Sequence, residues 1–450
     1  DTWLGLLAGR TIDVHGIPQQ EFLTVYAHGR AWVDQQWLAQ LLMYWEFRIG
    51  GLALTGLVNV ALIVSGIVGA ILAALALGAT RRSVLRIVPL AAIAVAVTAE
   101  VRTQAVAYPL FVATFYLLCT DSRSPSSRVY WCLPLIALWG NLHGSVTLGA
   151  GLVALRGLER LWEARRDPRR WPAGLGLIIG APLCLLVNPY GSSIESYYRA
   201  TLFNTAFRRL VVEWQPVTSF PLLAVIFFVL AAIAAWSVGR RRGRATLWEC
   251  CALLVLAVGA IIAVRNVVWF ALGGLILIPV SLGVSPRSET VPTASSRRLL
   301  ALNRMLAGVL AAVLLVLVVR TLTRSTGSLE PDYRPAVLTA VRTQLATSPG
   351  SRVFADVKFA DWLMWELPAS QGRLAFDARF ELLSSSQLKA IYDADTVTGL
   401  SWERGLRGYP VVVLDTSSSD DLAHALREQP GTRVQLDTGG AEVLTRAAPG

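Results

Sequence analysis

From Gly51 onward the chain alternates apolar stretches with short polar gaps, and the stretches fall at about 51–79, 84–101, 104–119, 129–141, 145–158, 173–188, 216–238, 246–264, 266–285 and 303–322. As hydrophobic runs bounded by charge, they predict ten membrane-spanning helices. Residues 1–50 mix polar and aromatic positions (Trp3, Trp32, Trp37, Trp45) and hold no run long enough to span. They predict an extramembrane loop with two short amphipathic helices, near Asp1–Gly9 and Gln36–Phe47.

Beyond residue 322, charges of both signs mix with short β-rich runs. Helices are expected near Arg334–Ala346, Phe359–Leu367, Ser386–Tyr392 and Asp420–Arg427. Strands are expected near Arg352–Asp356, Arg373–Asp377, Val411–Asp415, Arg433–Leu436 and Glu442–Thr445, completing a small α/β domain. The expected organisation is a loop at 1–50, a transmembrane helical domain at 51–322 and a soluble α/β domain at 323–450.

Composition agrees with the pattern. Hydrophobic residues make up 54% of the chain and charged ones 16%, with a mean hydropathy of +0.52, so the bilayer must serve as much of its solvent. The net charge of +11 is almost wholly arginine, since Lys358 and Lys389 are the only lysines. Its placement reads as topology rather than as nucleic-acid binding. Gaps near 80–86, 120–128, 156–170, 240–244 and 286–304 are rich in arginine, whereas the intervening gaps hold only Arg102, Arg199, Arg208, Arg209 and Arg265. Ten spans put every rich gap on one side, the cytoplasmic one, in a plasma-membrane protein whose C-terminal domain is extracytoplasmic. Fusing 129–158 into one helix around Asn141 and His143 would break that alternation. The chain opens at Asp1 without an apolar first segment, so a preceding segment is expected. Cys119, Cys132, Cys184, Cys250 and Cys251 fall in or beside apolar stretches and read as small core residues.

The chemistry is expected at the polar interruptions on the outer side. Glu100, Arg102 and Gln104 form one, Asn141 and His143 a second, Asn188 and Tyr190 a third, Glu213 and Trp214 a fourth, Arg265 and Asn266 a fifth. A stretch such as 129–141 reaches only about 20 Å as helix, short of a hydrocarbon core of roughly 30 Å. Polar tips recessed to that depth imply a cavity, open to water above and to lipid beside, which suits a polar head on a lipid tail.

Several motifs carry a family resemblance. The opening D-T-W-x5-G-R-x-I (Asp1, Thr2, Trp3, Gly9, Arg10, Ile12), H-G-I-P (His15–Pro18) and G-R-A-W-V-x3-W-L (Gly29–Val33, Trp37, Leu38) resemble the first extracytoplasmic loop of bacterial membrane glycosyltransferases of the GT-C superfamily. R-T-Q (Arg102–Gln104), W-G-N-L-H-G (Trp139–Gly144), N-P-Y-G (Asn188–Gly191) and E-W-Q-P (Glu213–Pro216) resemble a branch in which a soluble tail with F-A-D and F-D-A-R strands follows the last helix. The resemblance implies a transferase that uses a polyprenyl-phosphate sugar donor, with Asp1 as the catalytic base. Where relatives often carry a second aspartate, this chain has Glu21.

Read without the family, the residues allow the same chemistry. An inverting transfer needs a carboxylate to take the acceptor proton, for which Asp1, Glu21, Asp34 and Glu100 are candidates, and cations to hold the phosphate, for which Arg102 and Arg265 are candidates. Gln104, Asn141, His143, Tyr190, Trp214 and Asn266 complete the candidate substrate-binding set. Asp377 and Arg379 mark either a binding edge in the tail or a salt bridge. No metal-ligand cluster is evident, and a divalent cation is left open. The resemblance implies a glycan, lipid or protein of the cell envelope as acceptor. The competing readings are a transporter or flippase of a lipid-linked solute, which would carry internal repeats, and a non-catalytic membrane scaffold.

Overall fold

The computed structural model describes residues 2–98, 100–202, 210–240, 245–283, 316, 318–323, 333–399 and 402–446. Its first helix, α1 (Thr2–His15), buries Trp3, Leu6, Leu7 and Ala8. The second, α2 (Trp37–Ala76), joins the expected amphipathic helix to the first apolar stretch in one element. The two halves meet at a kink where Gly51 takes φ 61°, ψ −164°, a conformation closed to residues with a Cβ. There α2 changes direction between its aromatic first part and its apolar second part.

Further helices follow: α3 (Arg81–Val97), α4 (Ala107–Arg123), α5 (Cys132–Gly140), α6 (Val146–Glu163), α7 (Trp171–Cys184), α8 (Ile194–Leu202), α9 (Pro221–Arg240), α10 (Leu247–Ile262) and α11 (Val267–Leu282). The expectation of ten spans needs correction. Among the described residues, four helical segments are long and apolar enough to cross a membrane: Trp37–Ala76, Thr103–Arg123, Pro221–Arg240 and Val264–Leu282. Most of the others are shorter, and the 18 residues of α6 include Arg156, Glu159, Arg160 and Glu163. The 17 residues of α3 reach about 26 Å, and the nine of α5 about half that. A short tight turn at Ser127–Trp131 precedes α5, and the chain breaks again between Gly140 and Val146. The last expected span, 303–322, lies mostly outside the described residues.

The arginines of the rich gaps anchor the end of the bundle where α4 finishes. Fully buried Arg156 donates through Nε to Asp121 Oδ2 at 2.8 Å, and Arg160 Nε reaches the same oxygen at 2.9 Å. Arg123 Nε meets Glu249 Oε1 at 2.7 Å, and its Nη1 donates to the Leu77 carbonyl at 2.9 Å. These pairs tie α2, α4, α6 and α10 together where the helices would otherwise fray.

The tail contains α12 (Pro335–Thr347), α13 (Val357–Glu366), α14 (Ser385–Asp395) and α15 (Asp420–Arg427). Its sheet has strands β1 (Val353–Ala355), β2 (Val411–Asp415), β3 (Arg433–Asp437) and β4 (Ala441–Thr445) in the order β1-β2-β4-β3. β1 and β2 run parallel, and the other pairs are antiparallel. The expected strand at Arg373–Asp377 is reduced to bridges at Leu374, one to Val353 and one to Thr24. The second of these shows why. Backbone N–H groups of Val25 and Tyr26 donate to the carbonyls of Leu374 and Ala375 at 2.8 and 2.9 Å, so the N-terminal loop runs alongside the tail's own chain. Trp3, Leu6, Leu23 and Trp32 share one core with Val341, Phe359, Trp362 and Val413. Arg10 fastens that union, its guanidinium lying 4.1 Å over the Trp365 ring.

Candidate functional site

A cavity of about 790 Å³ lies where the loop, the tail and one end of the helical bundle meet. The bundle contributes Arg102 and Gln104 ahead of α4, His143 between α5 and α6, Glu213 and Trp214 ahead of α9, and Arg265 and Asn266 between α10 and α11. Four polar interruptions that are far apart in sequence therefore line one space, because each caps a helix end pointing the same way.

Its cations differ in what holds them. Arg102 forms ion pairs with Glu100 and Glu213, which fix it across the gap between two interruptions. Arg265 has no ion pair among the described residues, and its guanidinium sits 5.0 Å over the Trp214 ring. Asn266 donates through Nδ2 to the Gly259 carbonyl at 3.0 Å and closes the turn that presents Arg265. His143 Nδ1 accepts from the Ser145 backbone N–H at 3.1 Å. That bond assigns its ring proton to Nε2.

The loop supplies the carboxylate. Asp34, 5% exposed, lies just before α2, and its Oδ1 accepts from the Gln36 N–H at 3.3 Å. Burial pushes its carboxyl up to about 6, against the pull of the Arg379 charge. Asp34 Oδ2, Gln35 Oε1 and Gln40 Oε1 are buried acceptors on this wall with no donor among the described residues. Such oxygens are costly unless a bound group supplies hydrogens.

The tail adds lining residues that sequence reasoning mostly missed: Asp356 at the carboxyl end of β1, Lys358, Arg379, Glu381, Asp395 and Ser419. Lys358 Nζ meets Asp415 Oδ2 at 2.8 Å, and Ser419 Oγ donates to Asp395 Oδ1 at 2.8 Å. Burial pushes the carboxyls of Asp356 and Glu381 up to about 7. The available signal was the position of Asp356 and Asp415 at the ends of a parallel strand pair, where α/β domains place ligands. Only Arg379 had been singled out, and it is both a salt-bridge residue and part of the lining.

Other sequence candidates lie elsewhere. Glu21 is buried outside the lining, with Oε1 accepting from the backbone N–H groups of Leu23 and Thr24 at 2.7 and 3.0 Å and from Arg379. Glu100 is exposed, lies outside the lining and forms an ion pair with Arg102. Asn141 donates through Nδ2 to the carbonyls of Ala137 and Val187 and accepts from Trp37 Nε1 at 2.9 Å, which uses its amide to brace the bundle. Tyr190 donates to the Pro18 carbonyl at 3.2 Å and so pins the loop. Asp1 lies outside the described residues. Among the described residues, no group of three or more His, Cys, Asp or Glu is placed to hold a metal ion.

No family model matches the chain, and no curated protein matches it. Among solved structures the chain is similar to the archaeal oligosaccharyltransferase AglB from Archaeoglobus fulgidus in complex with an inhibitory peptide and a dolichol-phosphate. The identity is 14%, the coverage 98% of this chain and 70% of that one, and the TM-score 0.48. The oligosaccharyltransferase of the same organism in the apo form gives 13% identity, 99% and 70% coverage, and a TM-score of 0.46. A likeness at this level carries no residue roles or substrates to this chain.

Proposed function

We propose that this chain is a membrane glycosyltransferase of the GT-C kind, moving a sugar with inversion from a polyprenyl-phosphate donor to a cell-envelope acceptor on the extracytoplasmic face of the plasma membrane. The observation that carries the reading is the pairing, in one cavity, of Arg265, which has no counter-ion among the described residues, with the buried, half-satisfied carboxyl of Asp34. An arginine fork beside a tryptophan at the end of apolar helices suits the phosphate of a lipid. The acceptor hydroxyl gives its proton to Asp34 as its oxygen bonds the anomeric carbon from the face opposite the phosphate. The bond from that carbon to the phosphate oxygen breaks, and the lipid phosphate leaves as an anion held by Arg265 and Arg102. Placing the arginine lock of Arg156, Arg160 and Arg123 at the end of the bundle where α4 finishes, with the cavity at the other, supports the outward orientation.

The test reconstitutes the full chain in liposomes with polyprenyl-phosphate sugars and follows the release of free polyprenyl phosphate by mass spectrometry. Asp34→Asn and Arg265→Met should each lower release by about 10²-fold or more while inserting normally. Unchanged release by both variants would remove the site. Movement of intact sugar lipid between leaflets without release would make the protein a flippase.

A further inference from the structure

The cavity is electrically two-sided. On the bundle side stand Arg265 and Arg102, which hold the lipid phosphate in the reading above. On the loop and tail side the sign reverses, because Asp34, Asp356, Glu381 and Asp395 line the wall and the cations beside them are already bound to carboxylates. Lys358 meets Asp415 at 2.8 Å, and Arg379 meets Glu21 at 2.7 Å. Among the described residues neither Glu381 nor Asp395 forms an ion pair.

Hydrogen bonding on this wall is just as one-sided. Asp34 Oδ2, Gln35 Oε1 and Gln40 Oε1 belong to side chains that are 5%, 2% and 6% exposed, and none of the three oxygens meets a hydrogen-bond donor among the described residues. The orientation of Gln35 is fixed, since its Nε2 donates to the Gly140 carbonyl at 2.9 Å and leaves the oxygen as the free end. That oxygen sits at the seam with the bundle, where a Cβ added to Gly144 would come within 3.2 Å of it. Ser419 Oγ is already committed to Asp356 and Asp395, at 3.2 and 2.8 Å. Against these oxygens the wall offers, among the described residues, one buried donor without a partner, Arg379 Nη1.

A molecule that fills this side has to bring several hydrogen-bond donors and no negative charge. A phosphate or carboxylate carries the wrong sign, and a peptide presents a carbonyl acceptor for every backbone N–H. A sugar ring carries hydroxyls on neighbouring carbons, each able to donate to one of the oxygens and to accept from Arg379. Resting on the glycosyl-transfer reading above, we propose that the acceptor is an uncharged glycan whose terminal ring is recognised by Asp34, Gln35, Gln40, Glu381 and Asp395, and that the acidic wall turns away uronic acids and phosphorylated acceptors. One hydroxyl faces Asp34 Oδ2, which takes its proton. A neighbouring hydroxyl donates to Gln35 Oε1 and fixes the ring.

The full chain in liposomes with polyprenyl-phosphate sugars is offered the methyl glycosides of glucose, galactose, mannose and arabinofuranose, the uronides methyl glucuronide and methyl galacturonide, and a capped serine peptide. Mass spectrometry follows both the extended acceptor and free polyprenyl phosphate. The assay runs at about pH 8, where Asp356 and Glu381 are ionised because burial raises them only to about 7. At least one neutral glycoside should be extended, with a KM about tenfold or more below that of either uronide. Glu381→Gln combined with Asp395→Asn should narrow that ratio by about tenfold. Asp393→Asn, the same charge change on α14 but outside the lining, should leave the ratio as in wild type. Gln35→Leu should raise KM for the glycoside by about tenfold with a smaller change in kcat, a split that misfolding would not produce. Extension of a uronide or of the peptide as readily as of the glycosides overturns the proposal, as does release of polyprenyl phosphate with no glycoside extended. A ratio left unchanged by the double variant overturns it too. Absence of release with every acceptor and with water removes the transfer reading itself, and the acceptor site with it.

Discussion

Arg379 donates through Nη2 to Oε1 of Glu21 at 2.7 Å, an ion pair between residues 358 positions apart in the chain. Its Nε meets Asp377 Oδ2 at 2.9 Å, and its guanidinium lies 4.1 Å over the Trp32 ring. The side chain is 4% exposed; burial works against its charge, and the carboxylates of Asp377 and Glu21 outweigh that and keep it ionised. With the backbone bonds of Val25 and Tyr26, this residue lets the tail fix the loop that carries Asp34, and so set one wall of the cavity.

Arg379→Met should be severely destabilising, because it leaves two buried carboxylates without a counter-charge. Losses of about 3–5 kcal/mol are usual when one partner of a buried pair is removed. Denaturant unfolding followed by tryptophan fluorescence measures it. The double variant Glu21→Gln with Arg379→Met should lose less than the two single losses added, since one stranded charge has been neutralised. Strict additivity would mean the two side chains do not act as a pair.

Transfer should rise with pH through about 6, where burial places the Asp34 carboxyl. As a base it works only when ionised, so the rate falls about tenfold per pH unit below that value and levels off above it. Asp34→Asn should lower the rate by about 10²-fold or more at the plateau and remove this pH dependence. A wild-type rate that stays flat from about pH 4.5 to 8 would exclude Asp34 as the base.

Stability should run the other way. Burial raises the carboxyls of Asp356 and Glu381 to about 7, from ordinary values of 3.8 and 4.5, and burial and the Asp377 charge raise that of Asp361 as well. In that window the native state binds more protons than the unfolded one, so stability is lost as pH climbs from about 4 towards 7. Thermal unfolding temperatures should fall over that interval, and Glu381→Gln should flatten the slope. A midpoint that rises over the same interval would refute the assignment.

Gly51→Ala should cost about 1–3 kcal/mol, because φ 61° with ψ −164° is open only to glycine. The kink separates the part of α2 next to Asp34 from the apolar part. The variant should therefore also slow transfer, measured at a temperature where it remains folded. Gly56→Ala, five residues on in the same helix with open space around it, provides the control and should behave as wild type.

The sequence alone determined the apolar character of the bundle and the α/β make-up of the tail, because both are periodic and local. Most helices and strands of the tail fall close to where the sequence pattern put them, as with the strand expected and found at Val411–Asp415, whereas the one expected at Arg373–Asp377 is reduced to bridges. The polar interruptions were also legible, since a charge or amide between apolar runs is conspicuous whatever surrounds it. Helix length was not, because a break such as Gly140 to Val146 depends on which neighbours satisfy the freed backbone groups. Partnership was even less legible. Glu21 and Asp34 are both loop carboxylates thirteen residues apart, yet only the fold turned one towards Arg379 in the core and left the other on the cavity wall. The contribution of the tail to the site was equally hidden, because it requires residues near 20–35 and near 356–381 to share a core, and no local pattern encodes a contact across more than three hundred residues. Local chemistry wrote the elements; long-range packing, which alone decides burial and charge partners, chose the site.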